Sequence, residues 1–84
     1  MLREREYRSL PLWLAHEYLL ELGGRTEFGH TIQGAGWRAR IRDADDIAIG
    51  VLRIGRIFVA FEGEEPAVAA AMAAFDAKAL RAGG

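Results

Sequence analysis

Polar and hydrophobic residues alternate along much of the chain, and the longest apolar run marks the centre of the predicted sheet. Residues 46–62 read DIAIGVLRIGRIFVAFE, and their period of two is typical of two β-strands joined by a turn. We place that turn at residues 54–56, where Gly55 can take a positive φ without steric cost. The bulkier alternating residues are predicted to face the helices: Ile47, Ile49, Val51, Ile57, Val59 and Phe61. The opposite face then carries a smaller apolar set: Ala48, Gly50, Leu52, Phe58 and Ala60.

Three further strands are predicted outside this run. Residues 2–8 carry charges on both faces, which an edge strand tolerates and a central strand does not. Residues 25–32 form a second strand. Apolar residues and arginines alternate between residues 37 and 42, which predicts an amphipathic strand. The aspartate-rich residues 43–46 are predicted to form the turn that follows, because aspartate side chains bond readily to nearby backbone.

Two helices complete the pattern. Ser9 is the predicted N-cap of a helix over residues 10–22, and Gly23 supplies its C-terminal stop. The second helix is predicted to open at residues 63–66. Its apolar stripe is Val68, Met72, Phe75 and Ala79. The order β-α-β-β-β-β-α predicts one α+β domain over residues 1–84, with both helices on one face of a five-stranded antiparallel sheet in a two-layer arrangement.

Composition narrows the classes of function. The 84 residues include no cysteine, which excludes disulfides, thiolate metal sites and a cysteine nucleophile. The N-terminal segment is too charged for a signal peptide, and no apolar run approaches about 20 residues, so we expect a cytoplasmic protein without a membrane span. A net charge of −1, with 27% charged residues, does not favour nucleic acid as a partner.

A row of arginines is the strongest functional lead. Side chains two residues apart share one face of a strand, so the arginines of residues 37–42 must lie opposite the helices. Together with nearby apolar residues they would form a basic row beside a shallow apolar floor, suited to a small anionic ligand or an acidic partner. The residues of this surface are Arg38, Arg40, Arg42, Leu52 and Phe58. The alternative is a solvated face on which the arginines pair across strands with Glu27 or Glu62.

The first predicted helix has a wider apolar arc than one core contact needs. Trp13, His16 and Leu20 extend this arc and form a second candidate association surface, unless loops cover them. His16 and His30 are the only histidines, and neither stands at a spacing typical of metal ligands. We find no catalytic triad and no supported pair of acid and base. The sequence therefore favours a protein without metal, cofactor or enzymatic activity.

The chain ends in Gly83-Gly84, the pair that sulfur carriers and ubiquitin-like modifiers place at their activated C-terminus. Here it follows an alanine-rich helix, where glycine is a common C-cap. The ubiquitin-like fold begins with a hairpin and ends in a strand, and the predicted fold does neither. Chemical activation of Gly84 is therefore an alternative to a simple helix end.

Element order and three stretches of sequence resemble known families. The order is similar to one half of the saddle of a TATA-binding protein, in which the first strand lies at an edge beside the last. The stretches RSLPLWLAHEYLLELGG, GWRARI and IGVLRIGRIFVAFEGEE resemble the C-terminal domain of MoaD-related proteins of Thermus-type bacteria. MoaD is the small sulfur carrier of molybdopterin synthase. The resemblance covers residues from about 2 to about 82 and implies a link to molybdenum-cofactor biosynthesis or sulfur transfer. It implies no catalytic residues. We expect no ubiquitin-like carrier domain ahead of residue 2, in which this chain would differ from those proteins.

Three functions remain open from the sequence. The first is a non-enzymatic interaction domain that forms a homodimer or binds a protein partner through the open face of the sheet. The second is binding of a small anionic ligand, such as a pterin phosphate or a nucleotide, on the arginine row. The third is a Gly-Gly sulfur carrier. Nucleic acid, which the saddle fold binds in TATA-binding proteins, is disfavoured by the low net charge and the acidic flanks.

Overall fold

Five antiparallel strands form one open sheet, and two helices cover one of its faces in this computed structural model. The structure describes residues 1–83, with side chains through residue 80. The elements in chain order are β1 (Leu2–Arg8), α1 (Leu12–Glu21), β2 (Arg25–Phe28), β3 (Thr31–Gln33), β4 (Trp37–Ile49), β5 (Leu52–Gly63) and α2 (Glu65–Gly83). The predicted α+β fold and its β-α-β-β-β-β-α order are confirmed.

The first strand lies at a sheet edge beside the last strand, as the half-saddle resemblance implies. The sheet order is β1-β5-β4-β3-β2, so β1 pairs with β5 alone. Their register runs from Leu2 opposite Glu62 to Arg8 opposite Arg56. Because β1 has only one neighbouring strand, its charged side chains reach water on both faces of the sheet.

The hydrophobic core lies between the helices and one face of the sheet. Trp37, Ala39 and Ile41 of β4 point into it, as their alternation predicts, because every second side chain of a strand lies on the same face. The other principal core residues are Ile57, Val59 and Phe61 of β5, Ala15 and Leu19 of α1, and Val68, Met72 and Phe75 of α2. The predicted apolar stripe of α2 is therefore the stripe that packs on the sheet.

The start of α1 differs from its prediction. The helix begins at Leu12 with Pro11 at the N-cap position, and no side chain caps it. Ser9 has a φ of 59° and donates its backbone N–H to the carbonyl of Gly55 at 2.9 Å. Ser9 therefore extends the pairing of β1 with β5 instead of capping α1, and the predicted cap is wrong. The C-terminal stop is confirmed, since Gly23 follows the helix with a φ of 95°.

The segment predicted as one strand over residues 25–32 is a hairpin. It divides into β2 and β3, with the chain reversing at Gly29 and His30. Gly29 has a φ of 51°, which a residue with a Cβ rarely adopts, and this conformation turns the chain back on itself. The prediction of one strand here is therefore wrong.

The predicted turn at residues 43–46 is also wrong, because β4 runs straight through this segment. Ala44 pairs with Arg56 and Ile47 pairs with Ile54, so an extra residue is inserted into β4 as a β-bulge. The side chain of Arg56 donates from Nε to the backbone carbonyl of Asp45 at 2.7 Å and satisfies a bulge carbonyl. One strand gained and one strand lost leave the predicted count of five unchanged.

The turn of the central hairpin lies earlier in the chain than predicted. Ile49 pairs with Leu52, which leaves a two-residue loop of Gly50 and Val51 in place of the predicted turn at residues 54–56. Gly50 has a φ of 62°, as the first position of a type II′ turn requires. At the predicted turn, β4 and β5 instead stay paired on both sides of Gly55, through Arg56 and Ile54.

The bulge changes which face the distal residues occupy. Ile57, Val59 and Phe61 face the helices as predicted. Residues directly opposite in an antiparallel pair share a face, so Ile47 lies on the side of Ile54, opposite the core. The helix-facing assignment is therefore wrong for Ile47, Ile49 and Val51. The predicted apolar floor is divided as well, with Ala48 on the other face and Gly50 in the turn.

The distal part of the hairpin extends beyond the rest of the sheet. We call residues 47–54 the arm. Within the arm β4 and β5 pair only with each other, since β1 ends opposite Arg56 and β3 ends opposite Arg40. The molecule measures 42 Å along its longest axis and 24 Å by 21 Å across. No arm residue belongs to the described hydrophobic core.

Candidate functional site

The face of the sheet opposite the helices, which we call the open face, carries rows of opposite charge. Strand pairing sets Arg40 and Glu4 on either side of Ala60, and Arg42 and Glu6 on either side of Phe58. The predicted arginine row is therefore present on one face of the sheet. Its body consists of Glu4, Glu6, Arg38, Arg40, Arg42, Arg56, Phe58, Ala60 and Glu62.

Arg38 makes the cross-strand pairs that a solvated face would use. Its Nε lies 3.2 Å from a carboxylate oxygen of Glu27, and its Nη1 lies 3.9 Å from one of Glu62. The same Nε donates to Gln33 Oε1 at 3.1 Å. The side chains of Arg38, Glu27 and Glu62 are 32–44% exposed, so these pairs add little to stability, although they orient the guanidinium group of Arg38.

Arg42 lies over an aromatic ring. Its guanidinium carbon is 4.3 Å from the centroid of Phe58, and its Nε is 3.6 Å from a carboxylate oxygen of Glu4. Arg56 approaches the same ring at 5.5 Å. A cation over an aromatic face at an exposed position contributes about 0.5–1 kcal/mol. Phe58 is therefore held between two arginines and is not a bare apolar floor.

Arg40 differs from its two neighbours in the row. Among the residues that the structure describes, it makes no ion pair with any carboxylate. It lines an open cavity of about 450 Å³, together with Glu4, His30, Thr31 and Arg42. Arg40 is thus the member of the row whose guanidinium donors remain available.

The fifth predicted residue of this surface, Leu52, lies away from the row. It belongs to the arm, where it pairs with Ile49 and is 62% exposed. Four arm residues share the side of the open face and form a cross-strand aliphatic patch that we call the aliphatic face: Ile47, Ile49, Leu52 and Ile54. The structure therefore brings Arg38, Arg40, Arg42 and Phe58 together, whereas Leu52 joins a separate apolar patch.

An ion pair marks the junction between the body and the arm. Arg56 Nη1 donates to a carboxylate oxygen of Glu6 at 3.0 Å, and Arg8 Nε donates to its other oxygen at 3.2 Å. The hydrogen bond from Arg56, followed by that from Arg8, lowers the pKa of Glu6 below its usual value of 4.5. Glu6 is therefore ionised on the open face at neutral pH.

The second candidate surface, on α1, has one mostly exposed residue. Trp13 is 66% exposed, whereas Leu20 packs partly against the core. His16 Nε2 lies 2.7 Å from the hydroxyl oxygen of Thr26, and its ring meets that of His30 edge to face at 6.0 Å between centroids. Sequence reasoning missed this pair, because fold pairing and not sequence spacing brings the two histidines together. Association through α1 stays a prediction.

A third cluster joins the edge strand to α2. Tyr7 donates its hydroxyl to Asp76, and Arg5 forms an ion pair with the same carboxylate. Burial, followed by this hydrogen bond, raises the pKa of Tyr7 well above its usual value of 10.0. The Tyr7 ring also packs edge to face on Phe75. This cluster faces the core side and fastens β1 to the helix layer.

Two further features concern the described part of the chain: clusters of metal-binding side chains and membrane-spanning helices. Within residues 1–83 no group of three histidine, aspartate or glutamate side chains is placed to hold a metal ion. No helix described there is long and apolar enough to cross a membrane. Gly84, the residue predicted to be activated in a sulfur carrier, lies outside the described residues.

Comparison with known proteins adds the family. No curated protein matches the chain. A family model described as "Archaeal MoaD-like protein" matches residues 3–84, almost the whole sequence. This match agrees with the resemblance carried by the helix, arginine and hairpin stretches. The chain therefore belongs to the archaeal MoaD-like protein family.

Proposed function

We propose that this chain is a non-enzymatic interaction domain that serves molybdopterin or sulfur-carrier biology and binds protein through its open face. One observation carries the proposal. Both helices cover one face of the sheet, and the other face has no cover from the described residues. That face holds Arg40, which makes no ion pair with a described residue, and, farther along the hairpin, the aliphatic face of the arm. Membership of the MoaD-like family supports the biological setting.

The arginine row and the aliphatic face of the arm would contribute differently to the binding of a partner. Arg40 makes no ion pair with a described residue, so its guanidinium group can bind a partner carboxylate without first breaking a pair, and its planar fork suits that carboxylate. Burial of the aliphatic face of the arm against a partner would supply affinity through the hydrophobic effect. Charged groups at such an interface mainly set orientation and choice of partner. A small domain would also gain stability from the association.

Site-specific photo-crosslinking tests this proposal. A photoreactive amino acid at position 60, on the open face between Arg40 and Glu4, is expected to give covalent adducts in cells that express the protein naturally. Mass spectrometry of the adducts should identify either a second copy of the chain or a protein of molybdopterin or sulfur transfer. The matched control carries the same group at position 17, because Glu17 is exposed on the helix layer.

Two results would contradict the proposal. Adducts that form equally from positions 60 and 17 would show contact without a preferred face. Adducts from position 13 alone would move the interface to α1, where Trp13 is exposed. Either result would leave the fold and the family unchanged.

A second candidate function is binding of a small anion at Arg40, favoured by the cavity of about 450 Å³ beside this arginine. The carboxylate of Glu4 in the wall opposes it. Thermal unfolding in the presence of inorganic phosphate, pyrophosphate or a nucleotide is the test. Stabilisation that Arg40→Ala removes and Arg25→Ala keeps would support a site at Arg40. Equal behaviour of the two variants would exclude it.

A further inference from the structure

We infer that two copies of this chain pack open face to open face, with the arginine row of each copy over an acidic row of the other. The inference rests on the proposed function and names the partner of the open face. It is carried by the strand register, which sets the two rows on either side of β5.

The acidic row of β1 and the arginine row of β4 occupy the same levels of the sheet, with β5 between them. One level consists of Glu4, Ala60 and Arg40, and the next consists of Glu6, Phe58 and Arg42. Neighbouring strands are about 4.8 Å apart, so the two rows run about 10 Å from each other. The open face therefore carries opposite charges at equal distances from β5.

A two-fold axis that runs parallel to β5, above the open face, exchanges the two rows. Glu4 of the second copy then lies over Arg40, and Glu6 of the second copy lies over Arg42. Sheets that pack face to face are about 10 Å apart, a gap that one arginine and one glutamate side chain can span together. The surface is therefore complementary to itself, as a two-fold dimer requires.

Arg40 would gain from the second copy the partner that it lacks in its own chain. Among the described residues it makes no ion pair, and Glu4 at its level instead approaches Arg42, with 3.6 Å between a carboxylate oxygen and Nε. A carboxylate accepts several hydrogen bonds, so Glu4 of the second copy can bind Arg40 without leaving its own Arg42. The dimer therefore accounts for the arginine without a pair.

The charged residues of β5 that lie under the axis already have partners in their own chain. Arg56 Nη1 donates to a carboxylate oxygen of Glu6 at 3.0 Å, and Arg38 Nη1 lies 3.9 Å from a carboxylate oxygen of Glu62. The axis therefore does not bring unpaired like charges together at its centre.

The same two rows argue against other partners. The acidic row would repel phosphate groups of nucleic acid or anionic lipid that approached the arginines. A partner surface of one charge would be repelled by one of the two rows. The net charge of −1 lets two copies approach without strong repulsion. A contact across three strands lies at the small end of interface sizes, below about 1,200 Å², which indicates a weak dimer.

Sedimentation velocity of the full chain tests the inference, over protein concentrations from about 1 μM to about 1 mM. The wild type is expected to convert from monomer to dimer, and salt at about 0.5 M should weaken the dimer by screening the rows. Arg40→Glu and Glu4→Arg should each raise the dissociation constant about tenfold or more, because the axis creates two like-charged contacts in each dimer. The double variant restores opposite charges across the axis and should recover most of the wild-type affinity.

The matched control is Arg25→Glu, which makes the same change of charge on β2, outside the three strands that overlap. Its dissociation constant should stay close to that of the wild type, and thermal unfolding establishes that every variant folds. An equal loss of affinity in Arg25→Glu and Arg40→Glu would overturn the contact between the rows, because net charge alone would then explain it. A double variant that fails to recover would overturn the contact as well.

Cysteine crosslinking tests the position of the axis. The chain has no cysteine, so Ala60→Cys introduces a single thiol close to the axis. A short bismaleimide should join two copies of this variant efficiently. The control is Glu17→Cys, on the exposed surface of α1, which should crosslink poorly. Equal crosslinking of the two variants would overturn the face-to-face arrangement.

Failure of this inference can be told apart from failure of the proposed function. A wild type that stays monomeric at every concentration, while position 60 still crosslinks to another protein in cells, overturns the dimer and keeps the interaction domain. A dimer that Arg40→Glu and Glu4→Arg leave unchanged overturns the contact between the rows. A monomer without crosslinks from position 60 overturns both.

Discussion

The two halves of the β4–β5 hairpin use similar residues and meet opposite environments. In the basal half, residues 37–44 and 56–63, Ile57, Val59 and Phe61 are buried under the helices. In the arm, the equally apolar Ile49 and Leu52 are more than half exposed. The difference arises because the described core covers only the basal half, and because the bulge in β4 sets Ile49 on the same face as Leu52, opposite the helices. Residue type thus predicts the strand, and the neighbouring elements determine burial.

The largest expected effect comes from removing one large side chain from each half. Phe61→Ala should lower the free energy of unfolding by about 3–5 kcal/mol, because Phe61 is fully buried against Trp37 and Phe75. Leu52→Ala should change it by less than about 0.5 kcal/mol in the monomer. Urea denaturation at low protein concentration measures both. Equal losses would mean that the arm is packed in solution.

The next contrast concerns two glycines, Gly50 in the turn before β5 and Gly63 at the end of that strand. An added Cβ at Gly63, which has a φ of 140°, would lie 2.2 Å from the backbone oxygen of Gly36. Gly63→Ala should therefore cost about 2–4 kcal/mol, since both strain and a backbone clash result. Gly50→Ala meets open space and should cost about 1 kcal/mol, from its positive φ alone. Chemical denaturation gives the order, and a larger loss for Gly50→Ala would contradict the description of the arm as a free ribbon.

Tyr7 tests how firmly the edge strand of the basal half is held. Tyr7→Phe should lower the free energy of unfolding by about 1 kcal/mol by removing the hydrogen bond to Asp76. The raised pKa of folded Tyr7 means that the unfolded chain loses its tyrosine proton first, so stability falls as pH rises past 10. Tyr7→Phe has no hydroxyl to ionise at this position, so its stability should fall less than that of the wild type above pH 10. Denaturation at pH 8 and above pH 10 provides the comparison, and parallel profiles for both proteins would argue against the bond.

The smallest effect belongs to the junction of the two halves. The pKa of folded Glu6 lies below its usual value of 4.5, so its contribution is present above that pH and is lost as pH falls through the folded pKa. Glu6→Gln should therefore narrow the difference in melting temperature between pH 7 and pH 3. Glu17→Gln, on exposed α1 surface, is the matched control. If Glu6→Gln changes this difference in melting temperature no more than Glu17→Gln does, the ion pair of Glu6 with Arg56 does not contribute to stability.

Simple alternation was enough to predict the body of the fold. Trp37, Ala39 and Ile41 faced the core because nothing interrupts their period of two, and the arginines between them necessarily shared the other face. The resemblance to a half-saddle also indicated correctly that β1 lies beside β5.

The arm could not be predicted, because the residues that form its bulge and its turn are all typical of turns in sequence. Asp43, Asp45 and Asp46 favour turns by their side chains, yet here they lie in a continuous strand with a bulge. Gly50 and Gly55 are equally good turn residues from the sequence, and only the pairing of β4 with β5 selects Gly50. Once the bulge was missed, the faces of Ile47 and Ile49 were reversed as well.

The absence of arm residues from the described core has a consequence for how such proteins diverge. Substitutions of exposed aliphatic side chains in the arm alter the surface of the molecule with little effect on its folding, whereas substitutions at residues 37–41 are filtered by folding first. Among family members we therefore expect arms that vary in length and chemistry on a conserved body, so that each lineage can acquire its own binding preference.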